Sequence, residues 1–236
     1  MINFPLDTVY LESVDSTNSY LKRIIKESGL SKGLAVMAKN QTAGRGRLGR
    51  AWLSNDGTLC MSIALKNEYI EGLTLLAALA VYEALKPFCE CKALKVKWPN
   101  DIICENKKLS GILCERVSEY TVIGIGVNVN DKSFFGEIEH KATSLYLLSG
   151  KKYDVAEVFD AIKASFEAVF ERYNFTFDGD AKILYESLCV NFGKTVTTDK
   201  LSGTAIGISA DGSLLVEAEG VVSAVSSGEV AVHGIY

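Results

Sequence analysis

The sequence predicts an α+β fold in which a mixed sheet flanked by helices is followed by a small C-terminal β barrel. Across the first 188 of 236 residues, short apolar strands interleave with segments of helical spacing. From Cys189 onward the chain is β-branched and punctuated by glycine, with an Asp211-Gly212 hairpin turn. We therefore expect two domains, 1–188 and 189–236. The second should pack on the first, because so short a unit is marginally stable alone.

The predicted elements of the first domain differ in periodicity along the chain. A strand at 10–14 precedes a helix that the polar side chains at 15–18 would cap and that Gly29 would end. Further strands are predicted at 34–38, 58–65, 94–98, 102–104, 108–115 and 121–129, with a hairpin turn at Asn106, and further helices at 72–87, 155–173 and 180–189. In the second domain, the clearest strands are 214–218 and 221–225.

Composition and charge exclude several classes of function. Lys plus Arg number 25 against 29 Asp plus Glu, and the resulting charge of −4 has the wrong sign for a protein that coats nucleic acid or an anionic membrane. The longest apolar stretch, 73–85, is shorter than the roughly 20 residues of a membrane span, and the N-terminus lacks the pattern of a signal peptide. We expect a cytoplasmic protein that binds neither DNA nor a membrane.

Cysteine and histidine spacing gives no metal-binding pattern. The six cysteines include no C-x-x-C pair, and the two histidines, His140 and His233, are far apart. Zinc sites need closely spaced pairs of such ligands. We therefore expect reduced thiols and no structural metal.

A basic, glycine-rich segment is the first candidate site. The run Gly44-Arg45-Gly46-Arg47-Leu48-Gly49 satisfies G-x-G-x-x-G, but turn-rich sequence follows it instead of the helix that a dinucleotide-binding loop requires. Residues 39–50 carry four cations and no acid. This composition suits a loop that closes over a polyanion through its arginines, and a solvated basic loop is the alternative.

Two turns and one strand supply further polar candidates. In K-W-P-N-D at 97–101, the proline fixes the turn that carries Asn100 and Asp101, although such turns are often only structural. In K-K-L-S-G at 107–111, Gly111 permits close approach of a ligand and one lysine should face the neighbouring site, unless both are solvated.

The strand at 122–130 has two unlike faces. Glycines and asparagines alternate with isoleucine and valine, so one face is bare and ends in two amides. This predicts room for a flat ligand, with the asparagine amides placed to hydrogen-bond the ligand's polar edge. A glycine strand packed under a helix is the alternative.

In chain order, S-T-N at 16–18, Q-T-A-G-R-G-R-L-G-R at 41–50, K-W-P-N-D at 97–101, K-K-L-S-G-I-L at 107–113 and G-I-G-V-N at 124–128 resemble the biotin protein ligase family. The resemblance spans most of the first 130 residues. It implies a class II synthetase-like catalytic domain, and the C-terminal segment resembles the family's SH3-like domain. Some members carry an N-terminal winged-helix DNA-binding domain. Because about 15 residues precede Ser16, we expect the form without it.

The resemblance implies an ATP-dependent ligase with two half-reactions. Biotin and ATP, with Mg2+ as cofactor, would give biotinyl-5′-AMP and pyrophosphate. The biotinyl group would then pass to a lysine of a biotin carboxyl carrier protein domain, the implied partner. A homodimer is compatible with the resemblance.

The resemblance also implies a site. Activation brings the biotin carboxylate to the α-phosphate of ATP, so cations must offset the repulsion between two anions. The implied catalytic residues are Lys108, Arg47 and Asp101, and Asp101 is also the implied Mg2+ ligand, its alternative role being to deprotonate the acceptor lysine. The residues implied to bind biotin are Ser16, Thr17, Asn18, Gln41, Gly44, Arg45, Arg47, Lys108 and Gly111. The residues implied to bind the nucleotide are Arg45, Arg47, Arg50, Trp52, Asn100 and Asn128.

Three alternatives compete with this interpretation. A lipoate or octanoate ligase or transferase would share the catalytic fold, although K-W-P-N-D with the arginine loop favours biotin. A non-catalytic sensor of biotinyl-adenylate would need a DNA-binding segment. An RNA-binding protein that uses the Gly-Arg loop would need aromatic stacking partners and a broader basic surface, and the sequence shows neither.

Overall fold

The computed structural model describes residues 4–66, 70–89, 93–199, 201–226, 228 and 230–235. Within them the chain forms a seven-stranded mixed sheet flanked by helices and, from Thr195, a five-stranded antiparallel sheet. The predicted α+β class, with a mixed sheet followed by a small all-β segment, is confirmed.

The larger sheet has the spatial order β1-β2-β3-β7-β6-β5-β4. Its strands are β1 (Asp7–Val14), β2 (Leu34–Gln41), β3 (Thr58–Lys66), β4 (Leu94–Lys97), β5 (Asp101–Cys104), β6 (Lys107–Val117) and β7 (Tyr120–Asn128). β1 is parallel to β2, and all the other neighbours are antiparallel.

Helices cover both faces of this sheet. They are α1 (Thr17–Ser28), α2 (Leu73–Leu85), α3 (Leu145–Ser149), α4 (Val155–Arg172) and α5 (Gly179–Leu188). α2 is apolar on all sides because it lies between the sheet and α4 and is buried along almost its whole length. α1 is amphipathic and packs Leu21 and Ile25 on the opposite face, against Val36 and Val122.

Most predicted elements are present with ends shifted by a few residues. The helix predicted at 72–87 is α2 followed by a 3₁₀ turn over Lys86–Cys89, where Pro87 lacks the N–H that a continuing helix needs. The turn at Asn106 is confirmed, with positive φ at both Glu105 and Asn106, as a two-residue hairpin loop requires. The short helix α3 was not predicted.

The C-terminal sheet has the order β11-β10-β9-β8-β12, so β11 and β12 lie at its two edges. Its strands are β8 (Thr195–Thr197), β9 (Ser202–Ile208), β10 (Leu214–Ala218), β11 (Val221–Val225) and β12 (Ala231–Val232). The chain enters this sheet alongside edge strand β4, where Val190 N donates to Val96 O at 3.0 Å.

The described cysteines are free thiols: Cys60, Cys89, Cys104, Cys114 and Cys189. Cys91 lies outside the described residues. Among the helices of the described segments, none is long and apolar enough to cross a membrane.

Candidate active site

A cavity of about 600 Å³ lies on the face of the large sheet that carries α1. Its floor comes from β3, β6 and β7, and its rim from the Gly-Arg segment, the turn at 98–101 and the chain that follows β7. Gly228 and Val230, beyond β11, complete the wall. A volume of this size suits a small molecule of cofactor size.

The cavity brings together every predicted site residue except Gly44. The lining includes Ser16, Thr17, Asn18, Gln41, Arg45, Arg47, Arg50, Trp52, Asn100, Asp101, Lys108, Gly111 and Asn128. Gly44 lies behind the wall, where a Cβ atom would come within 2.4 Å of the Trp52 carbonyl oxygen. Glycine at this position therefore lets the two limbs of the loop pair closely.

The Gly-Arg segment forms a hairpin across the mouth of the cavity. Trp52 N donates to Gly44 O at 3.0 Å, and Gly46 N donates to Arg50 O at 2.7 Å. At the tip, Arg47 donates from Nη1 to Asn100 Oδ1 and from Nη2 to Gly228 O, both at 3.0 Å. The hairpin is thus tied to the 98–101 turn and to the C-terminal segment.

A buried polar array closes one end of the cavity, where α1 begins. Gln41 Oε1 accepts from Thr17 N at 2.8 Å and from Thr17 Oγ1 at 3.1 Å. Ser62 Oγ lies 2.6 Å from both Thr17 Oγ1 and Asn18 Oδ1. Thr17, Asn18 and Ser62 are buried, so this end presents fixed hydroxyl and amide groups shielded from water.

Glu115 fixes one member of this array, Asn18, through a hydrogen bond. Its Oε2 accepts from Asn18 Nδ2 at 2.7 Å, and its Oε1 lies 2.6 Å from Lys22 Nζ. Burial raises the pKa of the Glu115 carboxyl, but the contacts with Lys22 and Asn18 outweigh it and hold that pKa below its usual value. The carboxylate therefore stays charged and orients the Asn18 amide.

The glycine face of β7 points toward the cavity, as the alternation predicts. Gly126 lies opposite Cys60 on β3 and Gly111 on β6. A Cβ at Gly126 would come within 2.2 Å of Trp52 Cε2, and one at Gly124 within 2.5 Å of Asn18 Oδ1. The protein's own indole and carboxamide therefore lie close to these two glycines, which also line the cavity. The contact of this face with a flat ligand stays a prediction.

Lys108 and Asp101 form an ion pair on the cavity wall. Lys108 Nζ lies 2.6 Å from Asp101 Oδ1, and the two side chains are 30% and 14% exposed. Lys108 Nζ also lies 5.8 Å from the centroid of the Trp52 ring. Of the two lysines in this hairpin, Lys108 lines the cavity and Lys107 is exposed.

The backbone of Lys108 is hydrogen-bonded to the chain segment that follows β7. Lys108 N donates to Lys141 O at 2.7 Å, and Lys108 O accepts from Thr143 N at 2.9 Å. Asn128 Nδ2 donates to Thr143 O at 2.9 Å and to Lys108 O at 3.4 Å. Asn128 thus clamps the segment that holds Lys108, and its contact with a nucleotide stays a prediction.

Sequence reasoning missed several residues of the cavity. Cys60 lines the cavity, and Ser62, two residues further along β3, is buried beside it against Thr17 and Asn18. This period-2 pattern of polar residues in an apolar strand could have identified both. Burial raises the pKa of the Cys60 thiol to about 11, so it is uncharged at neutral pH. Phe135, 79% exposed on the rim, and Gly228 carry no comparable signal.

A family model described as the biotin/lipoate A/B protein ligase family matches residues 10–130. The chain belongs to this family. All of the predicted site residues lie inside the matched range. A second model, the C-terminal domain of biotin protein ligases, matches residues 190–232.

Similar proteins support the same placement within the ligase family. The bifunctional ligase/repressor BirA of Bacillus spizizenii is 34% identical over 94% of this chain and 73% of its own length. The biotin acetyl-CoA-carboxylase ligase of Paracoccus denitrificans is 33% identical over 70% of this chain and 75% of its own. A structure of the Aquifex aeolicus biotin protein ligase with biotin and ATP superimposes with a TM-score of 0.85 at 34% identity, covering 96% of this chain and 98% of that one. The predicted resemblance to biotin protein ligases is confirmed.

Proposed function

We propose that this protein activates biotin with ATP as biotinyl-5′-AMP and transfers the biotinyl group to a lysine of a biotin carboxyl carrier protein domain. The observation that carries the proposal is the division of one cavity into two unlike ends. A buried hydroxyl and amide array closes one end. Arg47 and Lys108 lie at the other, in contact with Asn100 and Asp101. Biotin is divided in the same way, because it has a ureido ring at one end and a carboxylate at the other.

The polar end supports biotin over lipoate. Thr17, Gln41 and Ser62 hold their hydrogen-bonding groups in fixed positions at the start of α1. A ureido ring offers two N–H donors and one carbonyl acceptor to such an array, whereas the dithiolane ring of lipoate offers none. A site built to hydrogen-bond its substrate rejects analogues that leave buried polar groups unpaired.

The cationic end supports attack of a carboxylate on a phosphate. Arg45, Arg47, Arg50 and Lys108 line the wall. Two anions must approach each other in this step, and fixed positive charges lower the barrier most when they need not reorganise. Lys108 meets that condition because both its backbone groups and its ammonium are held in place. We assign to Lys108 and Arg47 the role of stabilising the negative charge that develops at the α-phosphate.

Asp101 is the carboxylate on this wall that fits Mg2+ delivered with ATP. Magnesium is usually held by one or two carboxylates together with substrate phosphates, not by a dedicated protein cage. Bound there, Mg2+ would neutralise phosphate charge. In its alternative role, in the transfer step, the Asp101 carboxylate would take a proton from the acceptor lysine, so that the neutral amine attacks the biotinyl carbonyl and AMP leaves.

We assign different roles to the two predicted domains. Residues 1–188 would carry biotin, ATP and the reacting groups, and residues 189–236 would support the wall that Gly228 and Val230 complete. The hairpin that bears Arg47 would open to admit both substrates and close over the mixed anhydride.

The test is to incubate the protein with ATP and either biotin or lipoate, without an acceptor, and to measure the mass of the complex under native conditions. We expect a bound species with the mass of biotinyl-adenylate in the biotin arm only. Gln41→Leu, which removes the acceptor that Thr17 contacts, should lose it. Lipoyl-adenylate formed as readily as the biotin product, or no adenylate in either arm, would overturn the proposal.

A further inference from the structure

The turn at 98–101, which carries Asn100 and Asp101, is held by the segment that leads into the C-terminal sheet. Asn191 is fully buried, and its Oδ1 accepts from Trp98 N at 2.9 Å. The Trp98 indole Nε1 donates to Gly212 O at 3.0 Å. Just before the turn, Val190 N donates to Val96 O. The backbone that leads into Asn100 and Asp101 is therefore anchored to residues far away in sequence.

The far end of the turn is anchored to the same part of the chain through Arg47. Asn100 Oδ1 accepts from Arg47 Nη1 at 3.0 Å, and Arg47 Nη2 donates to Gly228 O at 3.0 Å. Asn100 Nδ2 donates to Ile112 O at 2.8 Å, so both ends of its amide are engaged. The 98–101 turn is therefore connected to the C-terminal segment twice, directly through Trp98 and indirectly through Asn100 and Arg47.

Burying the Asn191 side chain costs more free energy than a purely structural contact would justify. A buried amide costs free energy unless it is hydrogen-bonded, and Asn191 Nδ2 has no hydrogen-bond partner among the described residues. Its Oδ1 accepts the hydrogen bond from Trp98 N and also lies 3.5 Å from Cys189 Sγ. What the side chain contributes is a fixed acceptor for the residue from which the 98–101 turn starts.

We propose that Asn191 is a positioning residue for adenylate formation: it fixes the 98–101 turn so that Asn100 meets Arg47 and Asp101 meets Lys108. The inference rests on the proposed function. Asn191 does not line the cavity and acts only through the Trp98 backbone. Because it acts on the phosphate end, its loss should leave the array at Thr17 and Gln41 intact. It should therefore slow the chemical step and spare biotin binding.

The main variant is Asn191→Leu, which keeps the branching and the number of heavy atoms of the side chain and removes the acceptor. Displacing reacting groups by about 1 Å can cost up to about 100-fold, so we expect kcat for adenylate formation to fall by about 10- to 100-fold. The KM for biotin should stay within about threefold of wild type, because the loss is confined to the transition state.

The matched control is Glu186→Ala. Glu186 Oε1 accepts from Ile208 N at 3.1 Å, a bond that joins α5 to the C-terminal sheet and is not one of the contacts described for the turn. This variant should lower the melting temperature and leave kcat unchanged. Equal losses of kcat in the two variants would reduce the effect to general loosening of the C-terminal sheet and overturn the inference, as would wild-type kcat in Asn191→Leu.

If Asn191→Leu does not fold, Trp98→Phe decides. It keeps an aromatic ring but removes the bond to Gly212 O together with part of the buried indole volume, so the melting temperature is measured beside kcat. We expect a smaller fall in kcat at unchanged KM for biotin, and wild-type kcat would overturn the inference. Wild-type protein that forms no adenylate would instead overturn the proposed function and this inference with it.

Discussion

Replacing Gly126 by alanine would test how Trp52 shapes the cavity. The added Cβ would lie 2.2 Å from Trp52 Cε2 and 2.4 Å from Cζ2. Carbon atoms in contact are separated by at least roughly 3.5 Å, so the ring must move by about 1.3 Å or leave the sheet. If the ring stays, overpacking should cost about 1–3 kcal/mol of unfolding free energy. Because Trp52 is only half-buried, we expect it to move outward.

Acrylamide quenching of tryptophan fluorescence follows this displacement. The chain has two tryptophans, and Trp98 is 2% exposed, so increased quenching in Gly126→Ala would report on Trp52. A shift of about 1 Å at the site should slow adenylate formation by about 10- to 100-fold. Gly207→Ala is the control, since its nearest atoms are 3.8 Å away and both readouts should stay at wild-type values. Unchanged quenching and rate in Gly126→Ala would refute the close packing of Trp52 on the sheet.

Three further predictions address the two ends of the cavity. Lys108→Ala should nearly abolish adenylate formation while the protein stays folded, and a rate within about threefold of wild type would contradict its role. Arg47→Gly loses the contacts to Asn100 and Gly228 and should release the intermediate about 10- to 100-fold faster. With biotin and ATP it should then biotinylate serum albumin, and an unlabelled bystander would exclude a gating role. The pKa of Glu115 is lowered in the folded protein, so unfolding free energy should decline as the pH falls through its titration. Urea unfolding at about pH 7 and pH 3 should show a smaller decline of the unfolding free energy in Glu115→Gln than in wild type, and an equal decline would show that Glu115 is not its cause.

The parts of the fold that follow from local periodicity were predictable. Period-2 alternation placed Gly124 and Gly126 on one face of β7, and the register of β3 and β6 confirms that face. Helical spacing located α2 and α4 to within a few residues. The short α3 was missed because five residues carry too little pattern to be recognised.

The candidate site was predictable where a motif names its residues and not where distant segments meet. Lys108 and Asp101 lie in separate motifs that the antiparallel pairing of β5 and β6 brings together. The bond from Arg47 to Gly228 joins residues 181 positions apart, and no local signal encodes it. That Trp52 covers Gly126 depends on the path of the hairpin, which the glycine pattern alone does not specify.

The most direct test of the central claim is a crystal structure of the protein grown with biotin and ATP. We expect density for biotinyl-5′-AMP in the cavity, with the ureido ring within about 3.2 Å of polar atoms of Thr17 or Gln41. The phosphoryl oxygens should lie within the same distance of Lys108 Nζ and the Arg47 guanidinium. An adenylate bound in the opposite orientation, or bound outside this cavity, would contradict it.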